Sequence, residues 1–330
     1  MKLKAQNITE LPEWVLLSLQ EMHRMLKRII TGIILILAAY FWIYSTNDAV
    51  FEAGTLIIIL VGGWEFGRFL TAKDESGVRK SDYLVQGLCA LLSAGSMAYL
   101  LHGSTPLATL VPTLKTPLAV ICNDAASNLF LYFASIWWLL VVFMILKYSL
   151  GEKLIKSRIL RAIGGVLTLI PFGFGLYILR YQDGIASNVG STCLLAVMIL
   201  VWCADSGAYF TGKALGRHKM CPRISPNKTI EGLAGGLILS VAVFVGMYFL
   251  GLYGAVYSAN FWALFCAAVT TTIISVFGDL IESMFKREAG IKDSGVIFPG
   301  HGGMLDRIDS LSAAIPIFVV VYALVENFTR

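Results

Sequence analysis

The sequence predicts an all-α integral membrane protein, a polytopic helical bundle of about nine transmembrane helices, and three observations support this fold class. Of the 330 residues, 57% are hydrophobic and only 14% are charged, and the mean hydropathy is +0.74. Apolar runs of about 18 residues or more, the length that crosses the hydrocarbon core of a bilayer, recur along the chain. The basic residues are concentrated in alternate connections between these runs. A lipid bilayer is therefore the first partner that the sequence predicts.

Residues 1–28 precede the first apolar run and form a predicted leader. They lack the short apolar core and the small-residue cleavage site of a signal peptide, and the run that begins at Ile29 is long enough to remain as a span. Thr9 could cap a helix, Pro12 is tolerated in its first turn, and several apolar residues after Leu11 fall roughly on one face. The leader is either an amphipathic helix in the interface plane or a plain cytoplasmic extension.

Nine predicted spans follow the leader and account for nearly all of the remaining chain. They lie near residues 29–45, 51–69, 84–102, 128–147, 159–180, 190–210, 231–253, 260–281 and 309–326. No other segment is long enough for a water-soluble domain of useful size, so we expect residues 29–330 to form one transmembrane domain.

Segment 104–125 is apolar but is interrupted by Pro106, Pro112, Lys115 and Pro117. We interpret it as an outer loop or a re-entrant segment, because a tenth span here would break the charge alternation downstream.

The lysine and arginine residues indicate the orientation in the membrane. Of these 26 residues, 23 lie in the N-terminal segment and near 68–82, 147–161, 212–230 and 286–307. The intervening connections and the C-terminus hold only Lys115, Arg180 and Arg330. Under the positive-inside rule the N-terminus is cytoplasmic and the C-terminus is outside. The two most polar loops, 212–230 and 286–309, then face the cytoplasm, where nucleotides are.

Cysteine, histidine and net charge argue against several classes of site. The six cysteines include no CxxC pair and the four histidines are dispersed. A structural zinc site or a disulfide framework is therefore not expected. The net charge of +5 does not indicate nucleic-acid binding, because in a membrane protein the position of the basic residues carries the information.

Five carboxylates are predicted at a similar depth, near the cytoplasmic ends of three spans. They are Asp205, Asp279, Glu282, Asp306 and Asp309. Carboxylates about 4 Å apart repel by roughly 4 kcal/mol a pair at a protein-like dielectric, so an ionised cluster needs a cation. Oxygen ligands with no histidine or cysteine nearby favour Mg²⁺ over zinc or copper. Alternatively, these acids cap helix ends and pair with Lys286 or Arg307. Ionisable residues inside spans favour the functional interpretation.

Loop 216–232 is the cationic counterpart of these acids. It supplies Arg217, Lys219, Arg223 and Lys228. Ser225 or Thr229 could cap the next helix and present backbone N–H groups to an anion. Such a loop is on its own only a topology signal. Opposite a carboxylate cluster it predicts phosphate handling, in which a metal ion bridges phosphate oxygens and basic side chains neutralise developing charge.

The glycines of segment 299–303, Pro299-Gly300-His301-Gly302-Gly303, would let the backbone approach a bulky polyphosphate. The other interpretation is a tight turn between two helices. His301 could be a general base, a phosphate donor or a turn residue.

These motifs resemble a known family. Within 27 consecutive residues the chain contains Ser283-x-Phe285-Lys286-Arg287, Lys292-Asp293-Ser294-Gly295, Pro299-Gly300-His301-Gly302-Gly303 and Asp306-Arg307-Ile308-Asp309. This run resembles the long signature of the phosphatidate cytidylyltransferase (CDP-diacylglycerol synthase) family. Upstream, Asp205-Ser206-Gly207-Ala208-Tyr209 and Ser225-Pro226-Asn227-Lys228-Thr229-Ile230-Glu231-Gly232 resemble two further elements of that family. The likeness spans about residues 200–310, and it departs at Ile230, where an aromatic residue is common.

The resemblance implies a nucleotidyltransferase of phospholipid biosynthesis in a bacterial cytoplasmic (inner) membrane, with residues 29–330 as its catalytic domain. It would transfer the cytidylyl group of CTP to phosphatidic acid, giving CDP-diacylglycerol and pyrophosphate. Mg²⁺ would be required, with a second cation such as K⁺ nearby, and a homodimer is one possible assembly.

The resemblance also implies roles for individual residues. Asp279 and Asp306 would ligate the metal, and Asp309 and Asp205 would support or orient them. Lys228 and Arg307 would complete the catalytic set. The remaining predicted substrate contacts are Ser225, Thr229, Lys286, Arg287, Lys292, His301, Gly302 and Gly303.

Two other functions stay open from the residues. A CTP-dependent kinase of a polyprenol-type lipid would need a base to deprotonate its alcohol, and His301 is the nearby candidate. An ion-coupled transporter could use the buried acids as its ion site. Transporter sites usually lie near the bilayer midplane between repeated halves, whereas these acids are predicted at the cytoplasmic ends of spans and the chain has no evident internal repeat.

Overall fold

Helices make up almost the whole of the described structure. The computed structural model describes residues 13–71, 82–102, 125–181 and 188–329. In chain order its elements are α1 (Glu13–Ile43), α2 (Asp48–Leu70), α3 (Tyr83–His102), α4 (Ala125–Leu146), α5 (Tyr148–Lys156), α6 (Arg158–Tyr181), α7 (Asn188–Leu215), β1 (Lys219–Cys221), β2 (Ser225–Thr229), α8 (Ile230–Phe249), α9 (Gly254–Ser258), α10 (Phe261–Ala289) and α11 (Leu305–Thr329).

The apolar helices coincide with the predicted spans. In the described part of the chain, seven stretches are long and apolar enough to cross a membrane: residues 25–43 of α1 and all of α2, α6, α7, α8, α10 and α11. Helices α3 and α4 carry the shorter apolar stretches Tyr83–Ala98 and Tyr132–Leu146. The protein is a helical integral membrane protein, as its composition predicts.

Helix α1 joins the predicted leader to the first span. It runs from Glu13 to Ile43, so the described part of the leader continues into the span without a break at Ile29. Thr9 and Pro12, the predicted start of a leader helix, lie outside the described residues. The prolines and Lys115 of segment 104–125 also lie outside them, and the interpretation of that segment stays a prediction.

Small residues bring the central helices close together. Gly278 of α10 lies against α11, where a β-carbon would overlap the carbonyl oxygen of Asp309. On the other side of the site, Gly207 of α7 faces the carbonyl oxygen of Gly235 in α8, and Gly236 faces that of Ala204. Small side chains allow close packing of helices within a membrane, where lipid tails supply no hydrophobic drive for association. These contacts set the distance between the acid-bearing helices.

A short antiparallel hairpin, β1–β2, connects α7 to α8. Ile224 in its turn is buried, and its amide donates to the carbonyl of Cys221. Thr229 ends β2 and caps α8, because its Oγ1 accepts a hydrogen bond from the Gly232 amide at 3.1 Å. This confirms one of the two predicted caps. The cap holds Lys228, one residue earlier, at the junction of hairpin and helix.

Candidate functional site

Lys286 lies between two carboxylates where α10 and α11 meet. Its Nζ is 2.7 Å from Oδ1 of Asp306 and 3.1 Å from Oε1 of Glu282. Glu282 lies one turn before Lys286 on α10, and Asp306 is in the first turn of α11. All three side chains are nearly buried. A buried charge is tolerated when it is paired, so this arrangement keeps two acids and one amine in a dry position.

Lys228 connects the hairpin to the same group of acids. Its Nζ is 2.5 Å from Oδ2 of Asp279 and 3.4 Å from the carbonyl oxygen of Val276. Both partners lie on α10, whereas Lys228 precedes α8. The sequence predicted a basic loop opposite the acids, and Lys228 is the member of that loop whose amine reaches them.

Asp279 and Asp309 face each other across the α10–α11 contact. Their carboxyl groups are close enough to hydrogen bond, and Asp205 of α7 interacts with Asp279, Lys228 and Ser310. The Asp205 side chain is exposed. Like charges near each other disfavour ionisation of both groups, and a bound cation would relieve their repulsion. Asp205, Asp279 and Asp309, carboxylates of three helices, are thus near enough to interact electrostatically.

This donor set suits a hard cation. All of its donor atoms are carboxylate oxygens, and Mg²⁺ in proteins is usually held by one or two carboxylates together with substrate phosphates. Among the described residues, no three His, Cys, Asp or Glu side chains already stand in metal-binding geometry. The residues therefore fit a magnesium ion held jointly by protein and substrate better than one held by a closed protein cage.

Asp306 is oriented away from that pair and toward the loop between α10 and α11, residues 290–304. Its Oδ2 accepts hydrogen bonds from the amides of Ser294 at 2.9 Å and Gly303 at 2.8 Å, and from the Ser294 hydroxyl at 2.9 Å. Its Oδ1 accepts from Lys286. The structure thus brings Asp279 and Asp309 together. Asp306, which was also predicted to bind the metal, instead forms hydrogen bonds that support the loop.

Glycines shape loop 290–304 around Asp306. Gly290 ends α10 with φ of 69°, and Gly300 and Gly302 both have φ of 78°, a left-handed conformation that favours glycine. A β-carbon on Gly302 would overlap the Asp306 carboxylate. The amide of Phe298 donates to the carbonyl of Gly302 at 2.9 Å, and that of His301 donates to Phe298. The segment is therefore a tight turn between two helices, and its backbone lies close to Asp306. Its approach to a polyphosphate stays a prediction.

Glu65 of α2 supports this loop, and the sequence analysis missed it. Its side chain is 2% exposed, and Oε2 accepts from the Leu305 amide at 2.8 Å and the Ser294 hydroxyl at 3.1 Å. Arg68, one turn later, donates to the carbonyl oxygen of Ser294. Glu65 is an acid inside an apolar span, followed by a cation three residues on, and that signal was available in the sequence.

The other predicted substrate contacts occupy three environments. Arg287 and Lys292 are exposed and form no ion pair with any described residue. Ser225 begins β2 and is half-buried. His301 and Arg307 line an apolar groove to which α1 also contributes. These two side chains therefore adjoin an apolar surface.

Comparisons with known proteins indicate the family of this chain. A family model described as "Cytidylyltransferase family" matches residues 26–325. A phosphatidate cytidylyltransferase of Haemophilus influenzae is 45% identical over 189 residues, which cover 56% of this chain and 65% of that protein. A phosphatidate cytidylyltransferase of Pseudomonas aeruginosa is 38% identical over 295 residues, which cover 89% of this chain and 96% of that protein. A third, from Staphylococcus haemolyticus, is 45% identical over 152 residues, or 46% of this chain and 55% of that protein.

Proposed function

The chain belongs to the cytidylyltransferase family, and from this membership we propose that it transfers the cytidylyl group of CTP to phosphatidic acid, giving CDP-diacylglycerol and pyrophosphate. The observation that carries the proposal is the meeting of clustered acids on α7, α10 and α11 with two buried or half-buried lysines, Lys228 and Lys286. Acids that could hold a metal ion, with amines beside them, are the arrangement that phosphate chemistry requires.

The proposed reaction requires that the two substrates be positioned and that the negative charge of their phosphates be neutralised. A phosphate oxygen of phosphatidic acid attacks the α-phosphorus of CTP, the bond from that phosphorus to the bridging oxygen breaks, and pyrophosphate leaves with the electron pair. The nucleophile is already an anion, so no side chain has to remove a proton from it. The cost lies in bringing two anionic substrates together, and preorganised positive charge lowers that cost.

The basic side chains divide this task. Lys228, held by the cap of α8 beside Asp279, would neutralise charge on the nucleotide phosphates. Arg307, exposed at the start of α11, would hold the phosphate of the lipid. Lys286, enclosed by Glu282 and Asp306, would keep the acids of the two helices in place. Ser225, Thr229, Arg287, Lys292, Gly302 and Gly303 stay predicted substrate contacts.

Asp279 and Asp309, with Asp205 beside them, are the residues that would hold Mg²⁺. When bound there, the metal would polarise phosphate oxygens and offset their charge. Asp306 could join them only by releasing Ser294 and Gly303, and its role as a ligand stays a prediction. So does a second cation such as K⁺.

We also propose that all nine apolar helices span the membrane, with the N-terminus in the cytoplasm and the C-terminus outside. The alternation of basic residues supports this orientation, which exposes the site to cytoplasmic CTP. The bacterial relatives support a location in the cytoplasmic (inner) membrane. A homodimer stays a prediction.

The position of a radioactive label tests the reaction. Purified protein is incubated with phosphatidic acid, Mg²⁺ and CTP labelled at either the α or the γ phosphorus. We expect α label in the lipid and γ label in released pyrophosphate, because the proposed attack is on the α-phosphorus. Extraction of the lipid and chromatography of both phases measure the two products.

The same experiment separates this function from a CTP-dependent lipid kinase, which the relatives do not favour. A kinase acting on a polyprenol, which is added to a parallel incubation, would place γ label in that lipid and release CDP. His301→Ala is the matched variant: a cytidylyltransferase needs no base here and should retain measurable turnover, whereas a kinase that uses His301 as its base should lose almost all of it. γ label in the lipid would refute the proposal.

A further inference from the structure

A long apolar groove runs beside the carboxylate cluster, on the side of the first two helices. Its volume is about 980 Å³, and it is lined by residues of α1, α2, α6, α7, loop 290–304 and α11. Leu35, Ala39, Val50, Ile57, Phe172 and Met198 are representative of its apolar walls. Only 6% of the apolar stretch of α1 is buried. The groove therefore lies where lipid chains can reach it from the bilayer.

One end of the groove is cationic. Arg307 and His301 are among the residues that line it. Gly32 of α1 lies beside His301, because a β-carbon on this glycine would be 4.0 Å from Nε2 of the histidine. Arg307 has an exposed side chain and no carboxylate partner among the residues that the structure describes. Its neighbour in the chain, Asp306, belongs to the site. An anion bound to Arg307 would lie at the end of the groove that adjoins loop 290–304.

Trp42 is the last residue of α1 in the groove lining. Its indole Nε1 donates to the carbonyl oxygen of Phe51 at 2.9 Å, and its ring stacks on that of Phe51 with centroids 4.9 Å apart. The ring lies directly on Gly54, where a β-carbon would overlap it. Two contacts from α2 thus fix an aromatic ring across the groove.

The length of the groove matches one leaflet. Ten residues of α1 separate Gly32 from Trp42, and at 1.5 Å per residue they span about 15 Å. The hydrocarbon core of a bilayer is about 30 Å thick, so one leaflet contributes about 15 Å. A fatty acyl chain of ordinary membrane length would extend from Arg307 to Trp42.

We propose that this groove holds an acyl chain of the phosphatidic acid substrate, with the lipid phosphate at Arg307, and that Trp42 ends the groove and limits the chain length. The inference rests on the proposed function and adds the residues that select the lipid. The apolar walls complement an acyl chain, and Arg307, which has no carboxylate partner among the described residues, complements the phosphate of an anionic lipid. A free phosphate would use Arg307 but not the apolar walls.

Two substitutions that change the groove length in opposite directions test the proposal. Trp42→Ala removes the ring that we propose as the end of the groove, and Ala39→Trp places a ring three residues, or about 4.5 Å, nearer to Arg307. Phe41→Ala is the matched control, because Phe41 is on the same helix, is 70% exposed and lies outside the groove lining. Each variant is assayed with dilauroyl, dimyristoyl, dipalmitoyl and distearoyl phosphatidic acid at saturating CTP.

We expect Trp42→Ala to raise the kcat/KM ratio of distearoyl over dimyristoyl substrate by about tenfold, and Ala39→Trp to lower it by about tenfold, as for a hydrophobic pocket that gains or loses room. The ratio is taken within one variant, so a partly unfolded preparation does not alter it. Phe41→Ala should keep the parent ratio. Unchanged ratios in both groove variants would overturn the proposal.

A binding measurement distinguishes failure of the groove from failure of the enzyme function. Phosphatidic acid with a diazirine at the end of one acyl chain is photolysed with the full-length protein, without CTP. We expect crosslinks in the peptides that contain Trp42 and Gly54. If the parent makes no CDP-diacylglycerol but these crosslinks form, the proposed reaction is wrong and the groove stands. Crosslinks spread evenly over all lipid-facing helices would refute the groove.

Discussion

Asp279 interacts with more of the predicted site residues than its neighbours do, through one carboxylate. It accepts from Lys228, touches Asp309 and lies near Asp205. In a pair that is cut off from solvent, removing one partner leaves an uncompensated charge, which typically costs about 3–5 kcal/mol. Asp279 is only partly buried, with 29% of its side chain exposed, so we expect a smaller effect on folding and the larger effect on chemistry.

Asp279→Asn should abolish turnover while leaving a folded, membrane-inserted protein. Asparagine keeps the size of the side chain and one acceptor oxygen but removes the charge that would hold Mg²⁺ and balance Lys228. We expect a loss of at least about a hundredfold in kcat, comparable to removal of a main electrostatic contact. Activity at several Mg²⁺ concentrations and elution in size-exclusion chromatography are the two measurements.

Asp293→Asn is the control for this variant. Asp293 is exposed in loop 290–304 of the same signature, so the substitution removes one negative charge nearby without touching the cluster. It should retain most of the parent activity. Near-normal turnover of Asp279→Asn at limiting Mg²⁺ would mean that the acid is a structural partner of Lys228.

At the scale of elements, α2 determines the conformation of a loop that lies far away in the chain. Glu65 bonds Ser294 and Leu305 across 229 and 240 positions. Its Oε2 accepts from the Leu305 amide, a donor that would otherwise be buried without a partner at the start of α11. The Ser294 hydroxyl in the loop also reaches Asp306. A helix N-terminus leaves such donors unpaired, and a carboxylate there also complements the helix dipole.

Glu65→Ala should loosen loop 290–304 and lower both stability and turnover. Each buried donor left without an acceptor costs about 1–3 kcal/mol. Thermal unfolding in detergent and the rate of proteolysis within the loop measure the effect. Glu65→Gln is the matched variant, since its amide oxygen can still accept one of the two hydrogen bonds, and it should fall between the parent and Glu65→Ala. A loop that is equally resistant to protease in all three proteins would contradict this role.

Interactions between residues near each other in the sequence were predictable, and interactions between distant residues were not. Span positions depend on local hydropathy, so the helices coincide with the predicted runs, and Thr229 was predictable as a cap because its partner Gly232 is three residues away. The support of Ser294 by Glu65 depends on a fold contact that no local pattern contains. The family resemblance assigned Asp306 to the metal, and that role stays a prediction. No local pattern contains the three donors that Asp306 receives from the loop and the fourth that it receives from Lys286 of α10.

At the scale of the whole molecule, the orientation in the bilayer decides whether CTP can reach the site. The predicted orientation places the β1–β2 hairpin in the cytoplasm and the α1–α2 connection outside. Native Cys221 is a poor reporter of this, because it is half-buried in β1 and burial raises the pKa of its thiol. A raised pKa lowers the thiolate fraction that reacts with a maleimide.

Engineered cysteines at exposed positions test the orientation directly. Thr46→Cys, in the α1–α2 connection, should react with a membrane-impermeant maleimide added to intact cells, and Lys219→Cys, in β1, should react only after the membrane is opened. Both positions are exposed, so access rather than burial determines the result. The parent protein, with its native cysteines, sets the background. Labelling of position 219 from outside would reverse the orientation and remove the site from cytoplasmic nucleotide.

The bond between Glu65 and the start of α11 also limits how this protein can be divided. A fragment that begins at α6 would carry every signature residue from Asp205 to Asp309. It would lack the carboxylate that holds Ser294 and Leu305, and it would lack two of the helices that line the groove. The segment with the recognisable motif is therefore not a transplantable module. A minimal or split version of this protein must include α1 and α2, supplied in the same chain or as a co-expressed partner fragment.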